Sequence, residues 1–118
     1  GLPGDKIQFR EGNIFINEKI INRKKIEKIK NVRCGSNSFD VNIFEETLPG
    51  GKKYIAVYNK SGTLQNSQKY LVPENHFFLL GDNRDCSRDS RYLDSVGYVN
   101  FVNLVGKAQI IFFFKRHC

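Results

Sequence analysis

Apolar and polar residues alternate with a period of two in several short stretches. Ile7 and Phe9 alternate with Lys6, Gln8 and Arg10, Glu11-Gly12-Asn13 supplies a turn, and Ile14-Phe15-Ile16 resumes the apolar run. That pattern predicts a β-hairpin. Phe39, Val41 and Ile43 alternate with Asp40 and Asn42, then Leu48-Pro49-Gly50-Gly51 turns the chain into residues 53–58, a second predicted hairpin. Residues 20–33 fit two readings. Ile26 and Ile29 stand at helical spacing, whereas Ile20-Ile21 and the flanking turn chemistry suit a short strand and a loop. Residues 59–69 are polar and read as loop. After Val72-Pro73-Glu74-Asn75, the run His76 to Leu80 reads as a short buried strand ending at Gly81. Leu104 to Phe114, apolar on both faces at its end, reads as a central last strand, with Phe112-Phe113-Phe114 in the core and a membrane-contacting surface as the alternative. No stretch has a clear amphipathic helical period and no segment repeats. The expected class is all-β, mainly antiparallel.

The 118 residues suffice for one compact domain and not for two. The longest apolar run, Ile110 to Phe114, is far short of the roughly 20 residues a bilayer span needs. No charged start with an apolar stretch behind it appears near Gly1, so the reading is a soluble chain, or one without its membrane segment.

The formal net charge of +7 is local. Lys19, Arg23, Lys24, Lys25, Lys28, Lys30 and Arg33, opposed by Glu27 alone, account for nearly all of it. Such a stretch suits phosphate or acidic headgroups, or a solvated strand and loop. A small basic β-barrel binding nucleic acid is therefore the alternative function. No aromatic stacking platform is interleaved with these charges, which disfavours it, and the preferred reading has no nucleic-acid partner. Cys34, Cys86 and Cys118 have no C-x-x-C spacing and, with His76 and His117, complete no zinc set. A Cys34–Cys86 bridge stays open, with one thiol left over. His76, beside Phe77 and Phe78, reads as a hydrogen-bonded strand-end residue, and Ser90 and Ser95 as loop caps.

The segment Gly81-Asp82-Asn83-Arg84-Asp85-Cys86-Ser87-Arg88-Asp89-Ser90-Arg91 holds three aspartates and three arginines directly after a buried strand. Charges so placed must pair with one another, and guanidinium forks with short carboxylates make a rigid loop able to support chemistry. A purely structural ion-pair loop is the competing reading. Asp85, Ser87 and Asp89 imitate the start of a calcium loop. Ser90 stands where the turn glycine is needed, Val96 where the bidentate glutamate is needed, and arginines interleave, so calcium is excluded.

This segment resembles the G-D-N-R-D-N-S-x-D-S-R box of type I signal peptidases, the membrane-bound serine endopeptidases also called leader peptidases. Gly1-Leu2-Pro3-Gly4-Asp5 is similar to their G-L-P-G-D box. Val72 to His76, Val96 to Val99 and Asn103 to Ala108 also fit in order, whereas residues 20–70 match only in character. The resemblance implies removal of signal peptides from exported preproteins, after a small-x-small motif, at the outer face of the cytoplasmic membrane. It implies a serine nucleophile and a lysine general base, with no cofactor and no metal. The lysine must be kept neutral by an apolar site, and a nearby hydroxyl must aim it.

Ser87 matches the serine that orients the lysine, and Asp82, Arg84, Asp89 and Arg91 match the charged braces of the active-site floor. Asn83, Asp85 and Ser90 match the box as well, while Cys86 replaces its usual asparagine. The nucleophile motif S-M-x-P-T does not occur in these residues. The lysine belongs a few residues before G-L-P-G-D, and Lys6 lies on the wrong side of that turn. No catalytic residue is therefore expected in this chain, which reads as an inactive piece of a peptidase. Residues 10–75 are expected to be the accessory β region, and 1–9 with 76–118 part of the catalytic core. An uncovered edge at Leu104 to Phe114 leads to an expected dimer or strand exchange. Relatives such as self-cleaving repressors and pilus or conjugation peptidases fit the charged box less well.

Overall fold

The computed structural model describes residues 1–60, 65–107 and 109. Strands β1 (Lys6–Arg10), β2 (Asn13–Ile16) and β3 (Lys19–Ile20) form an antiparallel meander. Both of its turns have two central residues. Glu11 and Gly12 have φ of 49° and 77°, and Asn17 and Glu18 have φ of 51° and 67°. Positive φ at both central positions matches the right-handed twist of the flanking strands, which is why these tight turns close the hairpins. The register sets Ile7 against Ile16 and Phe9 against Ile14, so one face of the meander is apolar.

β7 (Tyr70–Leu71) pairs with the other edge of β1, giving the order β3-β2-β1-β7. Ile7, Phe9, Ile14, Ile21, Tyr70, Val72 and Phe78 are the buried core over this sheet. The Tyr70 and Phe78 rings lie 4.9 Å apart, centroid to centroid.

The second sheet has the order β4-β5-β6, from β4 (Asn22–Cys34), β5 (Asn37–Thr47) and β6 (Lys53–Asn59), all antiparallel. The two readings of residues 20–33 resolve as strand. Ile26 opposes Ile43 and Ile29 opposes Asn42, so a three-residue step on β4 spans a one-residue step on β5. The spacing that looked helical is a β-bulge. The predicted turn at Leu48 closes with Leu48 N–H on the Lys52 carbonyl (2.8 Å) and Gly51 N–H on the Leu48 carbonyl (2.8 Å).

A third pairing joins β8 (His76–Phe77) to β9 (Val99–Asn100), and a single 3-10 turn follows at Phe101–Asn103. The strand expected over His76 to Leu80 therefore ends at Phe77. Residues 78–80 stay beside other partners described below. The expected strand from Leu104 does not form over residues 104–107. Leu104 is half exposed and Val105 fully so. Residue 109 is exposed and outside any strand, and the remainder of that segment, including Phe112-Phe113-Phe114, lies outside the described residues, as does His117. Among the described residues no helix is long and apolar enough to cross a membrane.

Core position decides mutational cost here. Ile7 is 1% exposed and Ile20 52%. Ile7→Ala is expected to lower unfolding free energy by about 2–5 kcal/mol and Ile20→Ala by less than about 0.5 kcal/mol, as read from urea unfolding curves.

Candidate functional site: the charged loop

The chain from Phe78 to Gly81 is held along both edges. On one edge, Ser90 Oγ accepts from Leu79 N–H (2.9 Å), Ser90 N–H donates to the Leu79 carbonyl (3.1 Å), and Asp89 Oδ2 accepts from Gly81 N–H (2.8 Å). On the other edge Gly1 and Phe78 exchange bonds. Gly1 N donates to the Phe78 carbonyl (2.7 Å) and Phe78 N–H to the Gly1 carbonyl (2.9 Å). A reciprocal exchange of this kind is an antiparallel hydrogen-bonded pair. The loop is then stitched to the second sheet. Val57 N–H donates to the Asp82 carbonyl (2.8 Å), and Arg84 N–H donates to the Val57 carbonyl (3.0 Å).

Sequence reasoning expected the loop's charges to pair with one another. Half of that holds. Arg91 and Asp89 pair inside the loop, Nε to Oδ1 at 2.8 Å and Nη2 to Oδ2 at 2.9 Å, and both are buried. Arg91 Nη2 also donates to the Arg84 carbonyl (2.7 Å) and the Ser87 carbonyl (3.3 Å).

Arg84 instead leaves the loop for β5. Its Nη2 lies 2.7 Å from Glu46 Oε1, an ionic contact in which that oxygen takes no hydrogen bond. Nη1 donates to Tyr58 Oη (2.8 Å) and to Glu46 Oε2 (3.3 Å), Nε donates to the Gly81 carbonyl (2.9 Å), and the Tyr58 hydroxyl donates to Glu46 Oε2. Burial pushes the Tyr58 hydroxyl well above its ordinary range, with Arg84 opposing and Glu46 adding to the rise. Burial works against the Arg84 charge, but Tyr58 and Glu46 around it outweigh that and raise its pKa.

Glu46 and Tyr58 are the site residues that sequence reasoning missed. Nothing in the sequence singled them out: the alternation of Phe39, Val41 and Ile43 with Asp40 and Asn42 puts Glu46 in phase with the polar positions, and only the register of β5 with β6 sets it on one face with Tyr54 and Tyr58.

Asp82 stays exposed. Its carboxylate accepts from Asn83 N–H (2.9 Å), with no arginine on it among the described residues. Asp85 Oδ2 accepts from Asn59 N–H (2.6 Å). Asn83 Oδ1 is buried without a hydrogen-bond partner among the described residues.

Ser87 closes a tight turn, its N–H donating to the Asn83 carbonyl (2.8 Å). A β-carbon built onto Gly81 would lie 1.9 Å from Ser87 Oγ, so the serine hydroxyl sits directly over a position where only glycine fits. A cavity of about 260 Å³ adjoins this end of the loop, lined by core residues such as Ile7 and Phe78 and by Gly1, Leu80, Asp82 and Arg84. The structure thus gathers Arg84, Ser87, Asp89 and Arg91 around Gly81 and leaves Asp82 on the outer side.

Cys34 and Cys86 form a disulfide, with Cα atoms 5.7 Å apart. Apart from Lys19 on β3, the basic stretch lies on β4, an edge strand. Arg23 stacks over Phe44 and Tyr58 at 4.7 and 4.8 Å, while Lys24, Lys25, Lys30 and Arg33 are exposed. His76 opens β8 with Nδ1 2.7 Å from the Glu74 carbonyl.

The family profile described as signal peptidase, peptidase S26, matches residues 1–113. The chain belongs to the signal peptidase family. It is 39% identical to the signal peptidases I of Rickettsia typhi and Rickettsia prowazekii over 120 residues each, and to that of Rickettsia conorii over 128. Each alignment covers 96% of this chain and 43% of the relative, so the chain spans less than half the length of these proteins. No solved structure matches it.

Removing Arg84 strands a buried carboxylate. Arg84→Met is expected to cost about 3–5 kcal/mol, and adding Glu46→Leu to recover much of that, because breaking a buried pair costs more than replacing it. Equilibrium unfolding of the two variants measures the difference. The Tyr58 shift also sets a pH dependence. Its folded pKa lies above the ordinary value of 10.0, so the folded chain keeps a proton the unfolded chain loses, and stability falls as pH rises above 10. Denaturation at stepped pH should give Tyr58→Phe a slope shallower by up to about 1.4 kcal/mol per pH unit.

Proposed function

We propose that this chain is the support half of a serine–lysine signal peptidase, whose complete protein removes signal peptides from exported preproteins. The observation that carries the reading is the register at Gly1. Because Gly1 pairs antiparallel with Phe78, any residues preceding Gly1 that continue the pairing run beside Leu79, Leu80 and Gly81. A lysine a few residues upstream then reaches the level of Gly81, over which Ser87 Oγ is fixed. The serine hydroxyl steadies the lysine amine, and the apolar cavity walls favour its neutral form. A neutral amine takes the proton of an upstream serine nucleophile as that oxygen attacks the scissile carbonyl, and returns it to the leaving amine.

Arg84, Asp89 and Arg91 are positioning residues that keep Ser87 and Gly81 in register, and Asp82 serves the outer rim. In this reading 1–9 and 76–118 belong to the catalytic core, and 10–75 to the accessory region. The enzyme is anchored in the cytoplasmic membrane with this region on its outer face. The Cys34–Cys86 bond supports that side, since disulfides persist in oxidising compartments. These 118 residues contain no S-M-x-P-T motif, and alone they cleave nothing.

The test is cleavage of a synthetic signal peptide with an Ala-x-Ala site by the complete protein, by its Ser87→Ala variant and by the 118 residues alone. The expected result is turnover by the complete protein, a loss in kcat of about 10- to 100-fold in Ser87→Ala, the worth of one hydrogen bond, and none from the 118 residues. A complete protein without turnover, or cleavage by the 118 residues, overturns the reading. Unchanged kcat in Ser87→Ala removes the role given to Ser87.

A further inference from the structure

The charged loop is anchored at both flanks and arched between them, with one further tie at the start of the arch, where Asp85 Oδ2 accepts from Asn59 N–H (2.6 Å). Arg84 holds the entry through Glu46, Tyr58 and the Val57 bridge, and Asp89 to Arg91 hold the exit through Leu79 and Gly81. Residues 85–88 form the arch. Asp85 and Arg88 on it are exposed, and Cys86 and Ser87 are half-buried. Cys86 and Ser87 both donate their N–H to the Asn83 carbonyl, at 3.2 and 2.8 Å. The Arg91 bond to the Ser87 carbonyl is long, at 3.3 Å.

The β4–β5 hairpin overshoots its neighbour. The last rung between β5 and β6 is Val41 with Asn59, while β4 and β5 stay paired out to Cys34 and Asn37. The overhang is tied by the Asn31–Asp40 side-chain bond (3.0 Å) and by Lys60 N–H on the Asp40 carbonyl (2.9 Å). At its tip, Cys34 is bonded to Cys86, the residue immediately before Ser87.

We propose that the Cys34–Cys86 disulfide is a positioning clamp for Ser87, pinning the arch from outside so that the hydroxyl keeps its place over Gly81. The consequence for catalysis rests on the serine–lysine reading above, while the clamp itself is a property of this chain. Two features favour a local role over a general staple. The bond lands on the arch and not on the flanks, which the two arginine networks already fix. It also comes from a hairpin overhang that contributes no residue to the buried core over the first sheet. Opening the bond with a dithiol adds two electrons and two protons to the sulfurs, giving two thiols, while the dithiol closes to its cyclic disulfide.

The experiment uses the 118-residue chain with Cys118→Ser, so that no third thiol exchanges. Amide hydrogen exchange is compared for the oxidised chain, the dithiol-reduced chain and the Cys34→Ser/Cys86→Ser variant. Exchange at Cys86 and Ser87 should rise at least tenfold, while Arg84 and Ser90, bonded to Val57 and Leu79, change less than threefold. A uniform rise, no rise, or failure of both reduced chain and variant to fold makes the bond a general staple and overturns the proposal.

A second arm places Cys34→Ser/Cys86→Ser in the complete protein. There kcat should fall about tenfold with KM unchanged, and an unchanged kcat removes the catalytic consequence. A complete protein that cleaves no signal peptide while the local exchange effect is present sinks the function reading and leaves the clamp standing. Turnover without the exchange effect does the reverse.

Discussion

A guanidinium group from one loop and a carboxylate from the opposing sheet meet out of water, and the two halves of the molecule are joined there. Arg84 and Glu46 are 3% and 1% exposed at the side chain. Each charge offsets the desolvation of the other, and Tyr58 adds a donor to the carboxylate and an acceptor to the arginine. The cost of desolvating both charges means that this arrangement adds little net stability compared with a well-packed apolar substitute. What it supplies is placement: a planar fork bonded to Gly81, Tyr58 and Glu46 together has one orientation, and that orientation fixes where the loop begins.

From that fixed point the loop has little freedom. The Val57 bridge sets its entry, and Arg91 reaches back to the Arg84 carbonyl, so its exit is referenced to the same residue. Asp89 serves both purposes, pairing with Arg91 and taking Gly81 N–H. Ser87 then comes to rest against Gly81 because the turn leaves it no other place, and the missing β-carbon is what makes that contact sterically allowed. Arg84 and Asp89, through Gly81, and Arg91, through the Ser87 carbonyl, are therefore two or fewer contacts away from the residue whose hydroxyl the proposed chemistry needs.

Much of this was legible in the residue pattern, for reasons that separate cleanly. Ile7, Phe9 and Ile14 obey a period of two around a tight turn, and β1 and β2 follow it with core positions where the alternation puts them. The all-β class follows from the same alternation. Residues 20–33 were not legible, because a bulge inserts residues on one strand and breaks the period exactly where Ile26 and Ile29 lie; only the register with β5 reveals it. The run to Leu80 misled for another reason. Phe78 is buried, but Leu79 and Gly81 bond to side chains of the charged loop instead of to a strand. Within the site, the Asp89–Arg91 pair was foreseeable at a spacing of two. The Arg84 partner was not, since Glu46 is 38 residues away and only the pairing of β5 with β6, which sets Glu46 opposite Tyr54, puts it on one face with Tyr58. The disulfide was open on the same ground: cysteines 52 residues apart have no spacing that argues for or against a bond.

The basic stretch gains a physical account from its place on β4. An edge strand of 13 residues offers unpaired backbone groups along its outer side, and lysines there discourage pairing with another chain. Inward-facing members of the same stretch are used differently. Arg23 lies over Phe44 and Tyr58, so its charge faces the aromatic ring that also contacts Arg84. Two guanidinium groups thus share one ring, and both are tolerable because Glu46 lies opposite Arg23 across the strands and carries its carboxylate to Arg84. The local excess of positive charge and the buried Glu46 carboxylate are for that reason parts of one arrangement. The outer lysines keep the sheet edge solvated, and Arg23, with Phe44, Tyr58 and Glu46, makes the sheet's inner face the seat on which Arg84 of the charged loop rests.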